Sequence, residues 1–237
     1  MGIIILNMRK TVLCVIAHPD DEAFGPSGTL AKLADNHDVH IVCVTDGESD
    51  PRFHSQGGTL ATIRDGELRA SAKVIGAKEV HFLHFQDGSL CNNLYHEVAN
   101  KLQELCEVIK PSLFISTELR GVSGHLDHVA VAMITSFVYQ KNMAIDAIWY
   151  NCASKAVSDA MKDYFVFFPQ GFDKKDVDMV VDISDVFEKK LAAANCHQSQ
   201  LKDVERVTTR WMSAPKEEWF FVEERVESQF LIDQEAV

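Results

Sequence analysis

The sequence predicts an α/β fold: a Rossmann-like, doubly wound and mainly parallel sheet with helices on both faces. Three observations predict it. Short apolar runs rich in β-branched residues recur over the first 151 residues, and segments of helical period separate them. Clusters of His and Asp fall directly after two of the runs, where folds of this class gather their ligands. The 237 residues suffice for one substantial core and read as a single domain. Residues 11–151 carry the Rossmann-like part, and 152–237 supply C-terminal strands and a helix that complete it.

The elements follow in order. "MGIIILNMRK" is apolar but short, its charges follow the apolar part, and it lacks a small-residue cleavage site. It reads as a lead-in to the first strand rather than a signal peptide. "TVLCVIA" (Thr11–Ala17) is continuously apolar, as a strand buried on both faces is. "HIVCVT" (His40–Thr45), "EVHFLHF" (Glu79–Phe85), "SLFIST" (Ser112–Thr117) and "DAIWYN" (Asp146–Asn151) repeat the type. Between them, "GTLAKLADN" predicts a short helix. "LATIRDGELRASAKVIGA" puts Leu60, Ile63, Leu68, Ala72 and Ile75 near one face before Gly76 stops it. "LYHEVANKLQELCEVIK" is amphipathic and ends before Pro111, and "DHVAVAMITSFVYQKN" is apolar enough to lie on a sheet. In the tail, "YFVFFP" and "MVVDIS" read as a strand pair joined by "QGFDKKDVD". "SDVFEKKLAAANCHQSQ" reads as a helix capped by Ser184 or Asp185, and "EEWFFVEERV" as a last strand or an apolar flap.

Composition removes several function classes. The net charge of -12 opposes binding to a phosphate backbone, so no nucleic-acid partner is expected. No apolar run approaches the roughly 20 residues that span a bilayer. The six cysteines show no C-x-x-C spacing and fit buried, reduced thiols of a cytoplasmic protein. A homo-oligomer is expected.

"HPDDE" (His18–Glu22) follows the first strand. Helix capping by Asp20, Asp21 and Glu22 accounts for one or two acids at about 0.3–1 kcal/mol each. It leaves His18 and the stiffening Pro19 without a reason. A metal site accounts for both: imidazole and carboxylate ligate zinc and similar ions, and Pro19 narrows the geometry of His18 and Asp21. A third ligand is available in "SGHLDHVA" (Ser123–Ala130), which follows the "SLFIST" strand and offers His125, Asp127 and His128. The alternative for that segment is a helix start with Asp127 as cap.

"AHPDDE" followed by "GTLAKLA", with the later H-x-D-H, resembles the LmbE-like, PIG-L-type zinc de-N-acetylases. The resemblance runs from about Val12 to "EKKLAAANCHQSQ". Leu126 stands where the family usually has proline, and "TDGESD" matches its glycine-rich turn only loosely. The resemblance implies removal of the acetyl group from an N-acetylglucosamine-type amino sugar. It implies His18, Asp21 and His128 as ligands of zinc, or of iron(II), and Asp20 as general base. His125 would stabilise the oxyanion or protonate the leaving amine, and Asp127 would orient an imidazole. Arg64, in a segment similar to the family's Arg–Glu–Ala–Gly stretch, and His197, in an H-x-S-Q-like ending, are expected on the substrate side. Asp87 joins them by its place after a strand, its alternative being a turn residue before Gly88.

Two other readings compete. A His/Asp/His site with open positions also describes a non-haem iron oxygenase, in which Asp20 has no clear task. A non-catalytic metal-binding or nucleotide-binding Rossmann-like module is the other, though no G-x-G-x-x-G or Walker-type loop follows a strand. His37, His40, His54, His81, His84 and His96 are read as histidines outside the site. Trp149, Trp211 and Trp219 are read as core, with a lid as the alternative for the last two.

Overall fold

Alternate residues of the first strand face opposite sides of the sheet, and both sides are buried. Val12, Cys14 and Ile16 join one apolar cluster, while Leu13, Val15 and Ala17 join another. The computed structural model describes residues 9–49 and 57–225. Most of the N-terminal lead-in, Asp50 of the "TDGESD" turn and His54 lie outside the described residues.

In chain order the elements are β1 (Thr11–Ile16), α1 (Asp21–Phe24), α2 (Ser27–Asn36), β2 (Asp38–Thr45), α3 (Gly57–Ile75), β3 (Glu79–Phe85), α4 (Tyr95–Ile109) and β4 (Leu113–Thr117). Then come α5 (Gly121–Gly124), α6 (Leu126–Lys141), β5 (Ala147–Cys152), α7 (Lys155–Met161), β6 (Met179–Asp182), α8 (Phe187–Ala194), α9 (Leu201–Ser213) and β7 (Glu217–Glu224). Among the described residues they form one seven-stranded sheet of order β3-β2-β1-β4-β5-β7-β6. β1 to β5 are parallel to one another, and β7 lies antiparallel between β5 and β6. The mainly parallel, doubly wound sheet is therefore as expected.

Two helical layers cover it. α2, α3 and α8 bury Leu30, Leu33, Leu68, Ile75 and Ala193 on one face. α4 and α6 bury Val98, Leu102, Val131 and Val138 on the other. Strand order reverses at β1, with β2 on one side and β4 on the other. The loops after β1 and β4 thus flank one crevice, which is where this topology binds ligands.

The tail departs from expectation. Residues 164–169 form no strand; β6 pairs with β7 instead, with Met179 opposite Phe220. The aromatics of 164–168 are apolar because Tyr164, Phe165 and Phe168 line a cavity. "EEWFFVEE" is a strand and not a flap. The helix expected over 184–200 is α8 flanked by 3-10 turns, and neither Ser184 nor Asp185 caps it: Val186 holds that position. Asp182 takes the Ser184 N–H (2.8 Å), so the cap acts on the 3-10 turn before the helix. α9 was not anticipated.

β7 is tied to the first half by a buried ion pair. Glu218 accepts the backbone N–H groups of Gly28 (2.9 Å) and Thr29 (2.8 Å) in the first turn of α2, where Pro26 offers no side-chain cap. Lys190 of α8 donates to the same carboxylate at 2.7 Å. Replacing Lys190 by Met strands this carboxylate without a countercharge, and about 3–5 kcal/mol should be lost in denaturant unfolding. Lys32→Met, which breaks an ion pair with the exposed Asp185, should cost only about 0–1 kcal/mol. Equal losses for the two variants would contradict the structural role of the Lys190–Glu218 pair.

Candidate metal centre and active site

The chain turns sharply after β1. Asp20 has φ 128°, a conformation that L-residues adopt only when the surroundings impose it. Its backbone N–H is taken by Glu22 Oε2 (3.1 Å). Asp21 Oδ2 accepts the N–H groups of Ala17 (3.1 Å) and His18 (2.9 Å). Capping-type bonds thus occupy Asp21 and Glu22, whereas Asp20 makes no side-chain cap. The second oxygen of Asp21 stays free to face His128.

Three donor atoms converge there. His18 Nδ1 lies 3.1 Å from His128 Nε2, which lies 3.1 Å from Asp21 Oδ1. His18 Nδ1 is 3.7 Å from Asp21 Oδ2. A tetrahedral ion with ligand bonds of about 2.0–2.1 Å separates its ligand atoms by roughly 3.3–3.4 Å, so this donor set fits a divalent metal. The outer nitrogen of each ring is also fixed. His18 Nε2 sits between Asp87 Oδ1 (3.1 Å) and Asp127 Oδ2 (3.2 Å). His128 Nδ1 faces Gly121 O (3.1 Å) and Ser123 Oγ (3.2 Å). Both rings therefore present a lone pair to the common point, as metal-binding imidazoles do. Gly121 has to be glycine: its φ is +72°, and an added Cβ would lie 2.8 Å from His128 Cβ.

Electrostatics support positive charge here. Burial disfavours a charged His18, but the hydrogen bonds to Asp127 and Asp87 outweigh it and push the pKa up to about 10. Burial likewise works against Asp21, yet the charge of His128 holds it well below the usual carboxylate range.

Asp20 stands beside the three donors. Burial raises its pKa to about 6 against the pull of Arg64, whose Nη2 donates to Asp20 Oδ2 at 2.8 Å. Arg64 is itself buried and also donates to the carbonyls of Pro19 and Gly47. Gly47, at φ +67°, leaves it room: a Cβ there would lie 2.8 Å from the guanidinium. His125 packs edge-on against His18 with centroids 4.7 Å apart, and its Nδ1 accepts the Asp127 N–H at 3.2 Å. That bond leaves the opposite nitrogen carrying the proton. Burial, then the charges of His18 and His128, lower its pKa. His18, His125 and His128 also form a compact donor group of their own. Asp127 is buried and accepts N–H bonds from Gly88 (2.7 Å) and Leu90 (3.1 Å), so it braces the loop after β3 as well as His18. It is not the cap of α6; His125 is.

The structure thus gathers His18, Asp20, Asp21, Asp87, His125, Asp127 and His128 at one point. Arg64 acts on Asp20, and His197 stands behind the loop. His197 is fully buried, outside the cavity wall, with Nε2 on Glu22 Oε1 at 2.8 Å. Ser71 donates to the same oxygen at 2.6 Å. Sequence reasoning missed this brace, because nothing in "HPDDE" announces a partner 175 residues away. It also missed Ser123 and the cavity wall. The cavity, about 1070 Å³, extends from the donor cluster past Tyr164, Phe165 and Phe168 to Arg206, Arg210 and Trp211.

Burial lowers the pKa of His197, but the charge and hydrogen bond of Glu22 prevail and raise it. A folded-state pKa above the unfolded value of about 6.5 gives stabilisation that is complete below that value and lost as pH rises through the folded pKa. The stability gap between wild type and His197→Gln should accordingly be widest at acidic pH and narrow as pH rises. Denaturant unfolding across pH measures this, and a gap that widens with pH would refute it.

Comparison with known proteins agrees with the geometry. The family model described as PIG-L, GlcNAc-PI de-N-acetylase, matches residues 13–139. A diacetylchitobiose deacetylase of Thermococcus kodakarensis is 30% identical over 83% of this chain and 72% of its own. A probable N-acetyl-alpha-D-glucosaminyl L-malate deacetylase 2 of Bacillus cereus is 27% identical over 86% of this chain and 95% of its own. Among solved structures, N,N'-diacetylchitobiose deacetylase of Pyrococcus horikoshii superposes with TM-score 0.69 at 24% identity, over 91% of this chain and 84% of its own. The Pseudomonas putida hydratase GalB does so with TM-score 0.69 at 17% identity, over 93% of this chain and 99% of its own. At such identities the superpositions establish the shared fold and nothing of the reaction. The sequence matches go further, and on them this chain belongs to the PIG-L, GlcNAc-PI de-N-acetylase, family.

Proposed function

We propose that the protein is a metal-dependent hydrolase that removes the acetyl group from an N-acetylglucosamine-type amino sugar. The observation that carries this reading is the convergence of His18 Nδ1, Asp21 Oδ1 and His128 Nε2 with the unligated Asp20 beside them. Family membership and the deacetylase names of its relatives support the same reaction. Zinc suits two imidazoles and a carboxylate, and iron(II) is accommodated by the same donors.

A bound divalent ion supplies Lewis acidity and lowers the pKa of water to about 7. Asp20 takes the proton of the attacking water. Its raised pKa of about 6 keeps it ionised at neutrality yet basic enough for the task. Arg64 holds one oxygen of Asp20 and so aims the other. His125 donates its outer N–H as a hydrogen bond to the developing oxyanion and keeps that proton, and Asp20 passes the proton it took from water to the leaving amine. Asp87 and Asp127 set the tautomer of His18, and Asp127 also positions His125 through its backbone N–H. Of the three residues expected on the substrate side, Asp87 and Arg64 border the cavity and His197 does not; Asp87 keeps the substrate role in this reading, while Arg64 acts through Asp20 and His197 through Glu22.

The cavity volume reaches the top of the usual range of about 300–1,000 Å³ for small-molecule sites and leaves room for an aglycone beyond the sugar. The aromatic walls favour one that is partly apolar. Among the described residues no helix is long and apolar enough to cross a membrane. All six cysteines are free, which suits a cytoplasmic site of action.

Acetate release from N-acetylglucosaminides bearing sugar, malate and inositol aglycones tests the proposal. Chelator should abolish release and added zinc restore it. Oxygen consumption in place of acetate release would establish the oxygenase instead. Asp20→Asn should keep stoichiometric metal and lose about 10²–10⁴-fold in kcat. His128→Ala should lose the metal. Asp127→Asn should retain the fold and weaken metal affinity by about 10–100-fold in equilibrium titration.

A further inference from the structure

We infer that the protein carries a second site for a divalent transition metal, formed by His40, Glu79 and His81 at the opposite end of the sheet. It is independent of the deacetylase reading. The site arises from strand register. His40 of β2 pairs with Glu79 of β3, and Val42 pairs with His81. Side chains two residues apart in a strand share a face, so all three project to the same side.

Their donor atoms meet. His40 Nδ1 and His81 Nε2 are 3.1 Å apart. Glu79 Oε2 lies 3.7 Å from His81 Nε2 and 4.0 Å from His40 Nδ1. These separations bracket the edge of about 3.3–3.4 Å expected for a tetrahedral ion. An N–H···N bond between the rings accounts for the first contact alone; it gives no reason for the carboxylate oxygen to close on both nitrogens. Two imidazoles and one carboxylate suit zinc, nickel or copper, with water completing the shell on the exposed Glu79 side.

The surroundings favour neutral imidazoles with lone pairs to give. Burial lowers the pKa of both rings. Charged neighbours are already paired: Lys78 with Asp38 at 2.6 Å, and Arg69 with Asp65 at 2.8 Å. The site is remote from the catalytic crevice. His40 sits opposite Leu13, five residues before His18, a span of about 16 Å at strand rise. A metal there clips the edge strand β3 to β2, and β3 leads directly to Asp87.

Zinc titration of the purified full chain, with bound metal counted after dialysis, tests the inference. Wild type should bind two equivalents, and His128→Ala and His81→Ala should each bind one. The double variant should bind none. Glu79→Gln, a change at an exposed side chain, should weaken the second equivalent at least tenfold. Deacetylase turnover of His81→Ala with the catalytic metal in place should match wild type. A wild-type capacity of one, or a His81→Ala protein that binds as much zinc as wild type, would overturn the inference.

Discussion

A carboxylate taken out of water needs a partner for each oxygen, and the carboxyl edge of this sheet buries several side by side. This constraint organises the crevice. Glu22 is satisfied by Ser71 of α3, His197 from beyond α8 and the backbone of Asp20. Asp127 is satisfied by backbone N–H groups after β3, and Asp20 by Arg64. The partners come from α3, from the segment after α8 and from the loop after β3, so the crevice forms only when these distant parts of the chain are in place. Asp21 is the exception. One of its oxygens meets backbone N–H groups, and the other meets the imidazole of His128 at the proposed metal position.

Topology sets where this happens, and side chains set what happens. Reversal of strand order at β1 brings the loops after β1 and β4 together. A hydratase and several deacetylases share that arrangement, so the sheet alone does not select a reaction. In the proposed mechanism selection rests on the donor set and on Asp20, whose unfavourable backbone conformation is held by Arg64 on one side and Glu22 on the other. Strain concentrated at a catalytic position and held by buried contacts is a common way to fix a reactive geometry.

β1, β2, β4 and β5 were legible because each is buried on both faces and reads as a largely apolar run, and the edge strand β3, which exposes Glu79 and His84, was legible from Val80, Phe82, Leu83 and Phe85. The clusters His18–Glu22 and His125–His128 were legible because they follow strands of one sheet, whereas the choice of His18, Asp21 and His128 among them rests on the family resemblance. What failed depended on distance along the chain. Glu22 looked like a cap, since its partners Ser71 and His197 are far away in sequence. Tyr164–Phe168 looked like a strand because aromatics that wall a cavity have the composition of a core. β6 and β7 pair across α8 and α9, which no local pattern reveals. α9 buries only Val204 completely, too little apolar signal to stand out. His40 and His81 looked unremarkable one at a time, because their proximity is a property of register and not of either strand.

The cavity has two parentages. Its floor comes from residues before 139, the stretch the family model covers, while its aromatic and cationic walls come from 164–211, outside that stretch. The donor cluster and the far walls of the cavity are thus drawn from different lengths of chain, joined where His197 of the later one meets Glu22. A later segment remodelled for a new molecular cargo must still present His197 to Glu22 and Lys190 to Glu218, and a graft between relatives carries the same condition.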